Sequence, residues 1–448
     1  MGKEVNGKRE GSGVRIPILG RAGSHEPADR QLRHRRLLHI IISSFDSTRE
    51  AGAGLSVLLF GLIVLMDKKV AIFVPTLQFG GAERVALNLA GGFLQRGFSV
   101  DILVASDAGA FGDLIPAGAR LISLGNKGRV LRALPHLVSY LRRESPWCVV
   151  PIMDHTNVVT VWARWLARTS TTVLATTHCL PSVEARHGSR IREKLVPFAM
   201  QSFLRFADGI VAVSSGAAND LAQTAKIGRE RITVIHNPVL TPEFYRKVAE
   251  PVSDFHLRDP NRPGIVSVGR LVASKDFPTL IRAFAKVRKE VPSRLLILGE
   301  GEQRPVLERL IAELNLGDDV LLPGYTPNPY AHMARAKLCV LSSAYEAFGN
   351  VLVESLAAGT PVVATDCPTG PREILEDGRF GELVAVGDTE ALARAMVKVL
   401  RSGGPIPPSD YLEQFQLDRV VDAYVCAMEA AARQTSPGCT TAKSVGFS

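Results

Sequence analysis

The chain has 448 residues, a formal net charge of +9, 46% hydrophobic residues and 22% charged ones. That is the composition of a soluble globular protein, and the length predicts two domains rather than one core. The six cysteines (Cys148, Cys179, Cys339, Cys367, Cys426 and Cys439) form no Cys-x-x-Cys pair and no Cys/His cluster at zinc spacing. This speaks against a structural metal and for a reducing compartment.

Residues 1–66 read as a leader set apart from the rest. A polar, glycine-rich start is followed by the basic QLRHRR and by the uncharged run Ala51–Met66. At 16 residues that run is short of the roughly 20 needed to span a bilayer. Three readings stand: a spurious leader ahead of a true start at Met66, a membrane-associated segment, or a cleaved signal. Arg30, Arg33, Arg35 and Arg36 would keep the N-terminus of a spanning segment inside, and Lys68 and Lys69 weaken that orientation.

From Val70 the strands VAIFVP, SVDILVA, WCVVPI, TTVLATT, GIVAVS and RITVIH alternate with helix-length segments, the signature of parallel βαβ units. The first helix carries Ala86, Leu89, Ala90, Phe93 and Leu94 on one face. Before it, LQFGGAER has the form of a strand–Gly-Gly–helix turn, in which Gly80 and Gly81 permit close backbone approach to an anionic or hydroxylated group. The absence of G-x-G-x-x-G argues against a dinucleotide site and a dehydrogenase.

The positive charge concentrates in this first half: Arg120 to Arg205 holds thirteen Lys/Arg against four Asp/Glu. In RHGSRIREKLVPFAM, Arg186, Arg190 and Lys194 recur every four residues with Ile191 and Leu195 alongside, and Pro197 divides the stretch into two helices. The pattern fits a helix lying on an anionic membrane surface, or a solvated amphipathic helix packed on its own domain. Few aromatics interleave and no binding motif occurs, so nucleic acid is not an expected partner. His136, His155 and His236 read as structural histidines.

The charged, Asp- and Pro-containing stretch at 246–263 reads as a linker between a first domain at 67–245 and a second at 264–405. The second repeats the alternation with GIVSVG, RLLILG, DVLLP, KLCVLSS and TPVVAT. A helix within 406–433, roughly Asp418–Arg433, is long enough to reach back across the first domain, and 434–448 reads as a disordered tail. The fold class expected is α/β: two Rossmann-like domains facing a cleft, with ligands at the carboxyl ends of the strands.

Three features of the second half carry chemistry. VGRLVASKDF places Arg270 and Lys275 in the turn after a strand, two cations suited to a diphosphate, or a solvated basic loop. In YEAFGNVLVESLAAG, Gly349 allows close backbone approach and Asn350 is positioned to cap a helix whose first N–H groups would then be free for an anion. Glu346 and Glu354, eight positions apart, suit a ligand with phosphate in the middle and hydroxyl donors at both ends, a nucleotide sugar; alternatively they are a solvated loop glutamate and a dipole-favoured first-turn glutamate. Arg372 reads either as a further cation for the cleft or as a surface ion pair.

Together these motifs resemble a family. GGAER, TTHCLPS, VSSGAANDL, VIHNPV, VGRLVASKDFPTLIRAF, ILGEG, LPGYT and the Glu-x7-Glu stretch follow one another along about 330 residues as in the retaining GT-B glycosyltransferases of family 4. The resemblance implies that Arg270 and Lys275 hold the donor diphosphate, Glu354 the ribose hydroxyls and Glu346 the donor-sugar hydroxyls. Backbone around Phe348, Gly349 and Asn350 completes that site. It implies His178 near the anomeric centre, so that His178, Glu346, Arg270 and Lys275 are the catalytic set. Tyr325 and Thr326 would lie near the base, and the Gly80–Gly81 loop would close over phosphate or acceptor. It further implies front-face retention, with the leaving phosphate assisting the incoming hydroxyl.

No Asp-x-Asp occurs, so neither a metal nor any cofactor beyond the nucleotide-sugar substrate is expected. The chain departs from the family in CPTGPREIL and in NPV for the commoner Asn-Gly-Val. CPTGPREIL resembles a subset that builds cell-surface polysaccharide or lipopolysaccharide, often on polyprenyl diphosphate carriers with UDP-linked hexoses or N-acetylhexosamines. The expected partners are thus a nucleotide sugar, a lipid-linked or glycan acceptor and an anionic membrane surface, with a cytoplasmic location, peripheral on the inner membrane. An epimerase or phosphorylase of the same fold and a non-catalytic nucleotide-sugar-binding protein are the alternatives.

Overall fold

The computed structural model describes residues 68–77, 80–106, 114–125, 130–187, 198–252, 259 and 261–435, all within one compact unit. The expectations for the leader at 1–66, for Arg190, Ile191, Lys194, Leu195 and Pro197, and for the tail beyond 435 lie outside these residues.

Two parallel sheets form the frame. The first joins β1 (Lys69–Val74), β2 (Ser99–Val104), β3 (Arg120–Ser123), β4 (Cys148–Pro151), β5 (Thr172–Thr177), β6 (Gly209–Ala212) and β7 (Ile232–Val234) in the order β3-β2-β1-β4-β5-β6-β7. The second joins β8 (Gly264–Val268), β9 (Arg294–Leu298), β10 (Val320–Gly324), β11 (Leu338–Leu341), β12 (Val362–Thr365) and β13 (Glu382–Val384) in the order β10-β9-β8-β11-β12-β13. Their central strands are apolar on both faces because helices cover both sides, as β1 and β4 show with nearly every residue buried.

The two strands without an apolar signature are edge strands. β3 is mostly exposed and is tied to β2 by a fork in which Arg120 Nε and Nη2 donate to Asp101 Oδ1 and Oδ2 at 2.8 and 2.7 Å. β13, three residues long and partly exposed, pairs only with β12. An edge strand buries too little to need an apolar run.

Two chain crossings join the halves side by side. Val239 N and Leu240 N donate to Phe415 O, and Leu417 N donates back to Leu240 O, at 3.0–3.1 Å. The stretch expected as linker is helical at its start: the helix Pro242–Ala249 begins with Thr241 Oγ1 accepting from Phe244 N, and Phe244 packs on Tyr330 with ring centroids 4.9 Å apart. Phe244 is the apolar anchor that the charged neighbours hid.

The helix Leu417–Thr435 crosses back to the first half. Leu417, Val420, Val421, Tyr424 and Met428 join the core between β1 and the helix Gly81–Gln95, and Arg96 clasps Asp418 and Asp422. Burying a side chain of this size contributes roughly 1.5–3 kcal/mol, so the five together anchor the helix far more strongly than the exposed ion pairs do. Gly92 leaves the space for Val421: a β-carbon there would overlap the Val421 side chain.

Candidate active site

All site residues follow carboxyl ends of strands, where the two sheets face each other. After β1, Gly80 precedes the helix Gly81–Gln95 in extended conformation, and the carboxylate of Glu83 folds over it where a side chain would otherwise stand. Glu83 is buried, which raises its carboxyl above the ordinary range, while its own backbone N–H and the nearby Arg270 pull the other way. The glycine loop is therefore partly answered by its own helix acid. Its next residue, Gly81, faces the Asn350 carboxamide of the second half.

After β5, His178 Nε2 lies 3.2 Å from Thr176 Oγ1, and its Nδ1 is buried without a hydrogen-bond partner. Burial depresses the imidazole to about 4, with the Asn237 carboxamide acting against it, so the ring is neutral near pH 7. Asp154, buried at the end of β4, accepts from Thr177 Oγ1 and Cys179 Sγ at 3.0 Å each, and burial pushes its carboxyl up to about 6.

The second half supplies most of the charge. Arg270 and Lys275 occupy the turn after β8, with Arg270 exposed. Gly299 and Gly301 pack against the backbone of Gly269 and Leu271, an approach no β-carbon would allow. Lys275 Nζ donates to Glu346 Oε1 at 2.5 Å, and Ser343 Oγ donates to the same oxygen at 2.7 Å. The sequence assigned this lysine and this glutamate to different parts of a ligand; the fold makes them adjacent, so a ligand meets them as a pair.

Gly349, with φ +104, is the residue before the helix Asn350–Ala357, and the helix has no side-chain cap. Asn350 is therefore not the cap expected: it is already helical, and its Oδ1 accepts from Asn237 Nδ2 of the first half at 2.8 Å. A capping asparagine and a cleft-bridging one look alike in sequence. Phe348 turns its ring into an aromatic cluster with His236 and Phe415, at 5.3 and 5.8 Å, leaving its backbone at the site.

Glu354 lies inside the helix Asn350–Ala357 and is buried. It is 8% exposed, and burial pushes its carboxyl up to about 7 against the pull of Arg84 and the Tyr330 hydroxyl. Arg84, on the first half's opening helix, donates from Nη1 to Tyr330 Oη at 2.7 Å across the cleft. Tyr325 follows β10 and is exposed close to Arg84, while Thr326 Oγ1 accepts from Asn328 N at 3.3 Å. Arg372 does not enter the cleft: it pairs with Asp366 and Asp377 at the surface.

Sequence reasoning missed several bridging residues. Glu373, on the turn Pro371–Ile374, accepts from Ser215 N at 2.8 Å and lies 3.1 Å from His236 Nε2, both in the first half. Ser214 Oγ donates to Ala347 O at 2.7 Å. His236 is structural, as expected, but it serves the join between halves. Arg84 and Glu373 were within quoted motifs, yet nothing local marks a side chain whose partner lies more than 130 residues away. Arg186 is exposed in the helix Pro181–His187, outside this constellation. Among the described residues no group of three or more His, Cys, Asp or Glu could hold a metal ion, and no helix is long and apolar enough to cross a membrane.

Two facing Rossmann-like sheets with a back-crossing helix and this cleft define a GT-B glycosyltransferase. Residues 79–241 match the family described as Glycosyltransferase Family 4 and residues 250–414 the Glycosyl transferases group 1. The chain is 30% identical over 362 residues to the lipopolysaccharide core biosynthesis glycosyltransferase LpsE of Rhizobium meliloti, covering 77% of this chain and 95% of that protein. It is 29% identical over 343 residues to an N-acetylgalactosaminyltransferase of Campylobacter jejuni whose name specifies a diphospho-undecaprenol acceptor, covering 74% of this chain and 90% of the relative. Anabaena HepE, solved with UDP and glucose, shares the fold at TM-score 0.61 and 20% identity, over 82% of this chain and 98% of that one. The chain belongs to the family 4 glycosyltransferases, and it is a glycosyltransferase.

Proposed function

We propose that the protein transfers a hexose or N-acetylhexosamine, with retention, from a UDP-sugar to a lipid-linked or polysaccharide acceptor at the cytoplasmic face of the membrane. The observation that carries the reading is the joint placement of Lys275–Glu346 and Arg84–Tyr330–Glu354 at facing strand ends. This gives one cation–carboxylate pair and one buried carboxylate on either side of the turn at Gly349. Arg270 and Lys275 would take the diphosphate, Glu354 the ribose hydroxyls, Glu346 the sugar hydroxyls, and Tyr325 and Thr326 the base edge. The diphospho-undecaprenol acceptor in the name of the Campylobacter relative and the lipopolysaccharide role of LpsE support an acceptor of that chemistry, and the UDP complex of HepE supports the base.

In the reaction the bond from the anomeric carbon to the diphosphate oxygen breaks and the acceptor oxygen bonds to that carbon on the same face. The acceptor's proton passes to the departing phosphate. Charge then builds on the diphosphate, where Arg270 and Lys275 would stabilise it. Neutral His178 has a buried, unpartnered Nδ1, and Asn237 beside it a buried, unpartnered Oδ1, hydrogen-bonding capacity suited to a sugar hydroxyl. This scheme asks no metal of the protein.

The test is thermal stabilisation of the full chain by UDP, GDP, ADP and NAD in EDTA. Stabilisation by UDP, lost in Glu354→Ala, is the expected result. Stabilisation by NAD alone, by GDP alone, or only after a divalent metal is added overturns the donor assignment.

A further inference from the structure

On the flank of the first half, away from the cleft, lies an apolar groove that the reaction does not use. Trp162, Trp165 and Leu166 of the helix Asp154–Ala167 line it together with Phe203 and Phe206. Trp162 and Phe203 meet edge to face at 5.0 Å, which locks the helix to the segment 198–206. Its apolar lining is exposed to a degree that packing does not explain, Trp165 at 77% and Phe206 at 52%, and Phe198, on the same segment as Phe203 and Phe206, is 73% exposed. Leu166 and Thr169 precede β5, and Phe203 and Phe206 precede β6, so the groove lies at the amino ends of strands whose carboxyl ends carry the site.

The charges around it are of one sign. Between 130 and 145, 158 and 170, and 198 and 208 there are six arginines, and the only acids are Glu144 and Asp208. Both acids are already engaged, Glu144 with Lys69 and Arg120, and Asp208 with Arg164 and Val173 N. Arg142 donates to Leu166 O at 2.8 Å, so its guanidinium sits at a helix end, and among the described residues no carboxylate pairs with it. Arg168 is exposed at the end of the same helix, and Arg205 lies 5.0 Å above the Phe206 ring.

We propose that this flank is where the enzyme docks on an anionic phospholipid bilayer, with Trp165, Phe198 and Phe206 entering the headgroup region and Arg142, Arg168 and Arg205 pairing with phosphates. Tryptophan and arginine side by side on one surface suit the membrane interface, where an amphipathic ring has both its phases. A small-molecule site would converge free polar groups inside the groove; here Arg142 and Arg164, which line it, are engaged with Leu166 O and with Asp208 and Phe206 O. A second copy of the chain would bring the same basic face against itself, which like charges oppose. The docking rests on the membrane-face reading above for its purpose, while its test is independent of the donor.

The experiment is co-flotation of the full chain with phosphatidylglycerol-containing vesicles and with pure phosphatidylcholine vesicles, at low and at physiological salt. Binding to the anionic vesicles, weakened by salt, is expected. Each arginine near the surface is worth roughly fivefold in partitioning. Arg168→Glu with Arg205→Glu should therefore reduce binding by well over tenfold, and Trp165→Ser with Phe198→Ser by about tenfold. UDP-induced stabilisation, measured on the same samples, should be unchanged in both variants. Absence of anionic-vesicle binding overturns the proposal, as does binding that neither variant weakens. So does concentration-dependent dimerisation lost in the Trp165→Ser and Phe198→Ser variant, which would make the face a self-interface. Loss of UDP stabilisation in the parent chain, by contrast, would sink the donor reading and leave the docking result standing.

Discussion

The two sheets share a strand order, with the first adding one strand beyond the pattern of the second, yet their carboxyl ends are built for different work. The first half offers a glycine loop, a histidine held neutral and a buried aspartate. The second offers two cations after β8 and two glutamates around one helix start. The fold is repeated; the chemistry is not. Arg84 is the exception that binds the two, a first-half cation placed against the second half's Tyr330 and Glu354.

The largest effect expected on breaking this contrast is at the second half's ion pair. Glu346→Gln and Lys275→Ala should each lower turnover roughly 100- to 1000-fold, the scale of removing one preorganised charge or donor from a reacting centre. Steady-state rates with the donor identified by the stabilisation screen would decide it, and unchanged turnover in Glu346→Gln would remove that residue from the catalytic set. His178→Ala, which removes a group held neutral near pH 7, should cost less in binding than in turnover.

A smaller effect is expected where the halves meet. Arg84→Met removes a charged hydrogen bond, so UDP affinity should fall roughly ten- to hundredfold with the protein still folded. Calorimetric titration measures it; an unaltered affinity would mean that Arg84 only decorates the closed arrangement.

The pH dependence sharpens the comparison. Glu354 titrates near 7 in the folded chain against an ordinary 4.5. Ribose hydroxyls need an accepting carboxylate, so UDP affinity should weaken as pH falls below about 7, and Glu354→Gln should abolish that dependence. For stability the sign reverses. A raised carboxyl pKa contributes fully below 4.5 and is lost as pH rises towards 7, so Glu354→Gln should flatten the melting temperature across that window. His178, lowered to about 4 from 6.5, acts oppositely: its contribution is present above 6.5 and lost as pH falls through 4.

The smallest effect lies outside the site. Gly92→Ala would push the crossing helix off Val421, and scanning calorimetry should show a melting temperature lower by a few degrees with UDP affinity unchanged.

Much of the frame was legible in the chain itself. Among the described residues, eleven of the thirteen strands stand where apolar runs alternate with helical patterns, because a doubly covered parallel strand has to be apolar along its whole length. The two that escaped, β3 and β13, are edge strands held by pairing and by the Arg120–Asp101 fork. The residue types of a nucleotide-sugar site were equally visible: glycines before helices, Arg270 and Lys275 after one strand, Glu346 and Glu354 around a turn. These depend on local rules of backbone freedom and charge.

What only the tertiary structure decided was partnership. Asn350 reads as a cap and is a bridge to Asn237; Lys275 and Glu346 read as separate contacts and form one pair; Arg84 and Glu373 carry no local mark and reach the opposite half. The burial that brings Glu354 near neutrality is likewise invisible along the chain. Local pattern follows from steric and hydrophobic preferences within a few residues, whereas a partner across the cleft depends on how two independently formed sheets come to face each other.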